Sequence, residues 1–151
     1  MQEIADELKR AGKVRAFGLA TWPDETLAIL GAAEFPVQVV QFADDLFKRA
    51  ARRLPAGRTL GVIKHSVFQF DLARVDPKAV AAMRPLLIEA RIDPAEPNNW
   101  RELSLAHACF TNPNGVVVCS MFNPRHIELN AAIASGSRFP PALVAALDAA
   151  W

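Results

Sequence analysis

The chain has 151 residues, of which 52% are hydrophobic and 22% charged, enough apolar material for a core and incompatible with a disordered or fibrous polypeptide. Seventeen Lys and Arg against sixteen Asp and Glu leave a formal charge of +1, so no long-range field gathers nucleic acid or an anionic membrane surface. One globular domain over residues 1–151 is expected, with neither nucleic acid nor membrane as partner.

In chain order, MQEIADELKR reads as an amphipathic helix with acids early and bases late rather than as a signal peptide, with Ile4 and Leu8 one turn apart and Gly12 ending it. Residues 14–20 follow as a strand. Pro23 fits the first turn of a second helix through TLAILGAAE, and residues 37–42 form the second strand. DLFKRAARRL, residues 45–54, reads as a helix ending at Pro55 and Gly57, before a third strand at 59–65. A helix is expected from Pro77 to Arg91, with a possible kink at Pro85. Asn98 and Asn99 are suited to cap the next helix, with Glu102 completing a capping box and Phe110 its end. The fourth strand spans 116–120, Asn123 and Pro124 open a helix that stops at Gly136, and Pro141 starts a last one.

Strands alternating with helices predict an α/β fold with a parallel sheet. A closed (β/α)8 barrel takes roughly 250 residues, so four such units in this length make a parallel four-stranded half of a TIM barrel. Such a half leaves two sheet edges and an inner apolar face to be covered. Cys109 and Cys119 lie in apolar contexts without paired spacing, which argues against a disulfide scaffold or zinc knuckle and fits a reducing, cytoplasmic setting. No stretch has membrane-spanning length or metal-ligand spacing.

Four blocks carry a resemblance. KRAGKVRAFGLATW (9–22) is similar to the approach to the fifth barrel strand of the aldo-keto reductase family, residues 37–42 and LGVIKHS (60–66) to its sixth and seventh strands, and VVVCSMFNPRHIELN (116–130) to its eighth strand and the helix start beyond. The resemblance covers residues 3–66 and 103–151 and implies an NADP-dependent oxidoreductase of aldehydes and ketones, with NADPH as cofactor. The family's catalytic tetrad comes from its first four strands, so no residue of this chain matches it. Independently, the chain contains no tyrosine, which removes a phenolic proton donor for carbonyl reduction.

On the cofactor side, the resemblance matches Gln41 to the glutamine that holds the nicotinamide carboxamide, and Thr21 to a position where the family carries an amide side chain. His65 stands for the aromatic that stacks on nicotinamide, and Ser66 lies in the pyrophosphate loop, where Val67 replaces a proline. Asn130 matches an adenine-contacting asparagine, while His126 and Leu129 replace the family's residues on the adenosine. Ser120, Asn123 and Arg125 surround a helix start, where backbone N–H groups and the dipole favour a phosphate. Each residue also has a structural reading: a strand-end glutamine, a packed histidine, an ordinary helix cap. KRAARR (48–53) reads as a solvated helix face, His107 as a core-edge or surface histidine, and Cys119 as a structural cysteine rather than a reactive thiol.

The expectation is an aldo-keto-reductase-like fragment or diverged member that keeps part of a cofactor site and lacks the tetrad, completed by a homodimer or by a complementing N-terminal half-barrel chain. The alternative is a non-catalytic interaction or scaffold protein on the same fold. Convergence of Gln41, Ser120, Arg125 and Asn130 on one cleft separates the two.

Overall fold

A computed structural model describes residues 2–32 and 37–151. Strands β1 (Gly18–Ala20), β2 (Val39–Ala43), β3 (Gly61–His65) and β4 (Val116–Val117) pair in chain order as one all-parallel sheet. Helices α1 (Gln2–Arg10), α2 (Pro23–Ala32), α3 (Pro77–Glu89), α4 (Pro97–Phe110), α5 (Pro124–Ala134) and α6 (Pro141–Ala150) complete the α/β fold. This is the expected half of a TIM barrel.

Alternation along the strands divides the sheet into two faces. Leu19, Val40, Phe42 and Val62 share the face that packs on Leu30 of α2, and Lys64, Val117 and Cys119 continue that parity toward the helices. The opposite parity places Gly18, Ala20, Gln41, Ile63, His65 and Val116 on the inner face, where Gly18, Ala20 and Val116 are exposed. Gly18 is required there: a Cβ would collide with the Val39 carbonyl of the adjoining strand.

The larger core centres on α4, which is buried almost all round. Trp100, Leu103, Leu105 and Ala106 pack with Met83 and Leu87 of α3, Ile133 of α5 and Leu147 of α6. The buried Ser104 hydroxyl accepts from Leu46 N at 3.0 Å and donates to Val67 O at 2.7 Å, tying two sheet-to-helix connections to this helix. Removing this satisfied hydroxyl would orphan both backbone groups.

Several expected elements differ in detail. The first strand starts at Gly18 rather than at residue 14, because the Phe17 carbonyl accepts from both Gln38 N and Val39 N and the regular ladder begins beyond it. Ile4 is exposed, and Ala5 is what α1 buries. The end of the second helix beyond Ala32 falls outside the described residues.

Residues 45–54 form no α-helix. Asp45 Oδ1 accepts from Phe47 N and Lys48 N, both at 2.9 Å, Asp44 Oδ1 accepts from Ala50 N at 2.7 Å, and Arg49 adopts a left-handed φ of 48°. Side-chain carboxylates thus take the N–H groups a helix would use, and only a 3-10 turn, Ala50–Arg53, follows. At α4 the cap is Glu96, whose side chain accepts from Asn98 N, while Glu102 pairs with Arg138 at 3.0 Å instead of closing a capping box. Pro85 lies within α3, which continues to Glu89.

Strand β4 is the most weakly paired. It aligns only Ile63 with Val116 and Lys64 with Val117, extended by Val118 N donating to Lys64 O at 2.8 Å. Asn112 Nδ2 stitches its start, donating to Val62 O at 3.1 Å and Val116 O at 3.2 Å. Gly115 fits beneath that clamp, where a Cβ would collide with Asn112 and the Val62 carbonyl.

Candidate functional site

The connection from β4 into α5 borders a cleft of about 590 Å³. Ser120, Asn123, His126 and Asn130 line it from one side, and Asn98 and Arg101 on the first turns of α4 from the other, with Phe68 of the loop after β3 and the exposed Phe122 adding apolar surface. The volume lies within the roughly 300–1,000 Å³ of small-ligand clefts. The arrangement mixes amides, a histidine, a hydroxyl and a cation with aromatic rings, and it includes one carboxylate, Glu102, which is paired with Arg138.

Asn123 caps α5: its Oδ1 accepts from Arg125 N at 3.0 Å, Pro124 has no N–H to offer, and His126 N donates to Asn123 O at 2.8 Å. The first-turn donors expected to face a phosphate are therefore already used, leaving the helix dipole and side chains as the attraction for an anion. Arg101 and Arg125 are exposed and have no ion-pair partner among the described residues, but only Arg101 lines the cleft. Sequence reasoning passed over Arg101 because it lies in a different unit, more than twenty residues from the α5 start. Asn130 Nδ2 approaches Cys119 Sγ at 3.6 Å, and burial pushes the Cys119 thiol above its ordinary value, which fits a structural cysteine.

The remaining expected residues lie elsewhere. Gln41 and His65 share the inner face of adjacent strands, and the Gln41 side chain has no hydrogen-bond partner among the described residues. His65 Nδ1 lies 2.9 Å from Ser66 Oγ, and Ser66 holds a left-handed φ of 57° as the chain turns out of β3. Thr21 points away from this face, its Oγ1 lying 2.6 Å from Thr26 Oγ1 of α2. Of the four residues chosen as the discriminating set, Ser120 and Asn130 share the cleft, while Gln41 and Arg125 are not among its lining residues.

A second polar assembly lies on the helix side of the sheet, around a cavity of about 240 Å³. Lys64, 1% exposed, pairs with Asp44 at 3.1 Å and donates to Thr111 Oγ1 at 2.8 Å. His107, buried on α4, places Nε2 2.8 Å from Asp148 Oδ1, and Arg52 holds Asp148 Oδ2 at 2.8 Å. Burial lowers the His107 pKa, with the positive charges of Lys64 and Arg49 adding to that, against the opposing pull of Asp148. Burial alone would raise the Asp148 carboxyl, but hydrogen bonds from His107 and Arg52 bring it below its ordinary range.

Residues 48–53 form no α-helix, and although Lys48, Arg52 and Arg53 are exposed as expected, Arg49 is not. Arg49 is buried, donates to Leu46 O at 3.0 Å, Leu147 O at 3.1 Å and Trp151 O, and Arg53 pairs with Asp24 at 2.6 Å. Every cation of this assembly is matched within the chain, so it ties the turn after β2 to α4 and α6. Among the described residues, no group of three or more His, Cys, Asp or Glu side chains could hold a metal ion, and no helix is long and apolar enough to cross a membrane.

Neither a protein-family profile nor a curated protein matches the chain. Among solved structures, the fold is similar to a thermostable aldo-keto reductase crystallised with the inhibitor epalrestat, at a TM-score of 0.62 and 14% sequence identity, covering 99% of this chain and 53% of that one. The chain thus spans about half the length of the reductase it resembles, and the similarity shows a shared fold: four parallel strands and their helices, arranged as in part of an aldo-keto reductase barrel.

Proposed function

We propose that this chain is the nucleotide-holding half of an aldo-keto-reductase-like oxidoreductase, and that the cleft beside α5 binds the phosphoadenosine part of a nicotinamide dinucleotide such as NADPH. The observation that carries the reading is the meeting of Ser120, Asn123, His126 and Asn130, from the β4–α5 unit, with Arg101 of α4 around one cleft of about 590 Å³. In this reading Asn130 and His126 address the base with their hydrogen-bonding groups, Phe68 supplies apolar surface, and Arg101 neutralises phosphate charge. Arg125 stands at the helix start as a second cation, and Gln41 on the inner face offers an unengaged amide for a carboxamide.

The nicotinamide end fits less well than the adenosine end. The Thr21 hydroxyl is engaged with Thr26, so Gln41 and His65 alone serve that ring. A bound nicotinamide cofactor supplies hydride, whereas proton donation to a carbonyl needs a positioned acid, and a chain without tyrosine brings no phenol. Turnover of an aldehyde or ketone therefore requires a positioned acid other than a tyrosine of this chain.

Calorimetric titration with NADPH, and separately with adenosine 2′,5′-bisphosphate, tests the reading. Binding of both is expected, and Arg101→Ala should weaken each about 10- to 100-fold, since a hydrogen bond to a charged group contributes roughly 1.5–3 kcal/mol. No heat of binding at millimolar ligand sinks the proposal.

A further inference from the structure

We propose that the groove between the connections after β2 and β3 binds a small organic ammonium with an aromatic or branched apolar body, and that the Lys48 ammonium holds the same position as an internal stand-in. The inference is independent of nucleotide binding, because this groove shares no lining residue with the cleft beside α5.

The groove encloses about 570 Å³, a volume suited to a small ligand. Phe47 and Phe70 line it with their rings edge to face, centroids 5.0 Å apart, and Trp151, Val75 and Ala79 add further apolar surface.

The residue that sets its chemistry is Asp45, which is 1% exposed and also lines the groove. Oδ1 is fully engaged, accepting from Phe47 N and Lys48 N. Oδ2 is buried and accepts no hydrogen bond among the described residues. The Lys48 ammonium stands 2.9 Å from Oδ2 as a charge contact, out of line for a hydrogen bond, and donates to Gln69 O at a long 3.4 Å. A carboxylate oxygen removed from water without a donor is costly, yet what covers this one is a long side chain that is 47% exposed and loses rotamer freedom by staying there.

Two acceptors from separate connections, Asp45 Oδ2 and Gln69 O, thus converge on one ammonium, and aromatic rings line the same groove. A ligand ammonium that takes the place of Lys48 meets both acceptors, its apolar body covers the rings, and the ring faces attract its charge. The remaining charges favour a cation as well. Arg74 is drawn to Asp71 at 3.5 Å, and Asp76 uses Oδ1 to cap α3 through Lys78 N, so three carboxylates face two cations around the groove.

Titration of the full chain with 2-phenylethylamine, followed by backbone amide shifts in NMR, tests the site, with 2-phenylethanol as the uncharged counterpart. The amine should shift the Phe47, Lys48 and Phe70 amides at millimolar concentration, and the alcohol should bind about tenfold more weakly, the loss of one charge-assisted hydrogen bond. Asp45→Asn keeps an oxygen for the two backbone N–H groups and removes the charge, so it should weaken the amine about tenfold and leave the alcohol unchanged. Lys48→Ala removes the competing cation and should tighten the amine at least about threefold, because the site no longer has to be vacated first. An amine that shifts nothing, an alcohol that binds equally well, or a Lys48→Ala chain that binds no tighter overturns the proposal. Should Asp45→Asn fail to fold, Lys48→Ala, altered at a half-exposed side chain, decides. Excess NADPH should leave the amine shifts in place, and displacement of the amine by NADPH would put it in the cleft beside α5 and overturn the site.

Discussion

Lys64 shows how a single residue can contradict its surroundings in sequence and fit them in space. It sits in GVIKH, where alternation turns it toward the helices and away from water. Its ammonium meets Asp44 at 3.1 Å and the Thr111 hydroxyl at 2.8 Å, and Asp44 in turn accepts from Ala50 N. Removing one partner of such a pair leaves a buried charge uncompensated, which typically costs about 3–5 kcal/mol. Lys64→Ala should therefore lower the unfolding free energy measured in urea by about that amount, whereas replacing Lys64 and Asp44 together by Met and Leu should cost less than the single change. A single substitution with an effect below about 1 kcal/mol would show that the pair does not hold the β2–β3 connection. None of this is readable from the order of residues, because the partners come from a turn, a strand and a helix end.

Among the elements, the link between α4 and α6 has a pH dependence of definite sign. His107 is held below its ordinary value of about 6.5, so between its lowered pKa and about 6.5 the unfolded chain binds more protons than the folded one, and stability falls as pH falls through that window. Asp148, held below its ordinary carboxyl value, adds a further loss in stronger acid. The urea midpoint should drop between about pH 7 and pH 5, and His107→Gln, which keeps a donor for Asp148 without titrating, should flatten that drop. An unchanged slope in the variant would remove His107 as the cause. Here the sequence was informative about the helix itself and misleading about its histidine. A helix is usually amphipathic, but α4 is enclosed by the sheet, α5 and α6, so the face that carries His107 is interior too. The stretch 45–54 misled in the opposite way: DLFKRAARRL has helical periodicity, but Asp44 and Asp45 capture the local N–H groups. Local side-chain competition of this kind leaves no periodic trace.

For the molecule as a whole, the α/β class, the number of strands and their parallel order were legible, since short apolar runs alternating with helical ones admit few other arrangements. Half of the candidate site was legible as well. Ser120, Asn123, His126 and Asn130 fall on one contiguous strand-to-helix unit, so proximity in sequence carried over into proximity in space. Gln41, Thr21 and His65 depend on which way each strand end turns, and Arg101 reaches the cleft from a helix that sequence spacing does not connect to it.

The two-residue pairing of β4 has one more consequence. A wall of the cleft hangs from the shortest ladder in the sheet, with the Asn112 clamp over Gly115 as its main reinforcement. Local opening should start there, so the Val118 amide should exchange with deuterium faster than those of the β2–β3 ladder, and Gly115→Ala, which forces Asn112 off the strand, should widen the gap. A ligand seated beside α5 would slow that breathing, making this thin seam of hydrogen bonds the place where occupancy and rigidity are felt together.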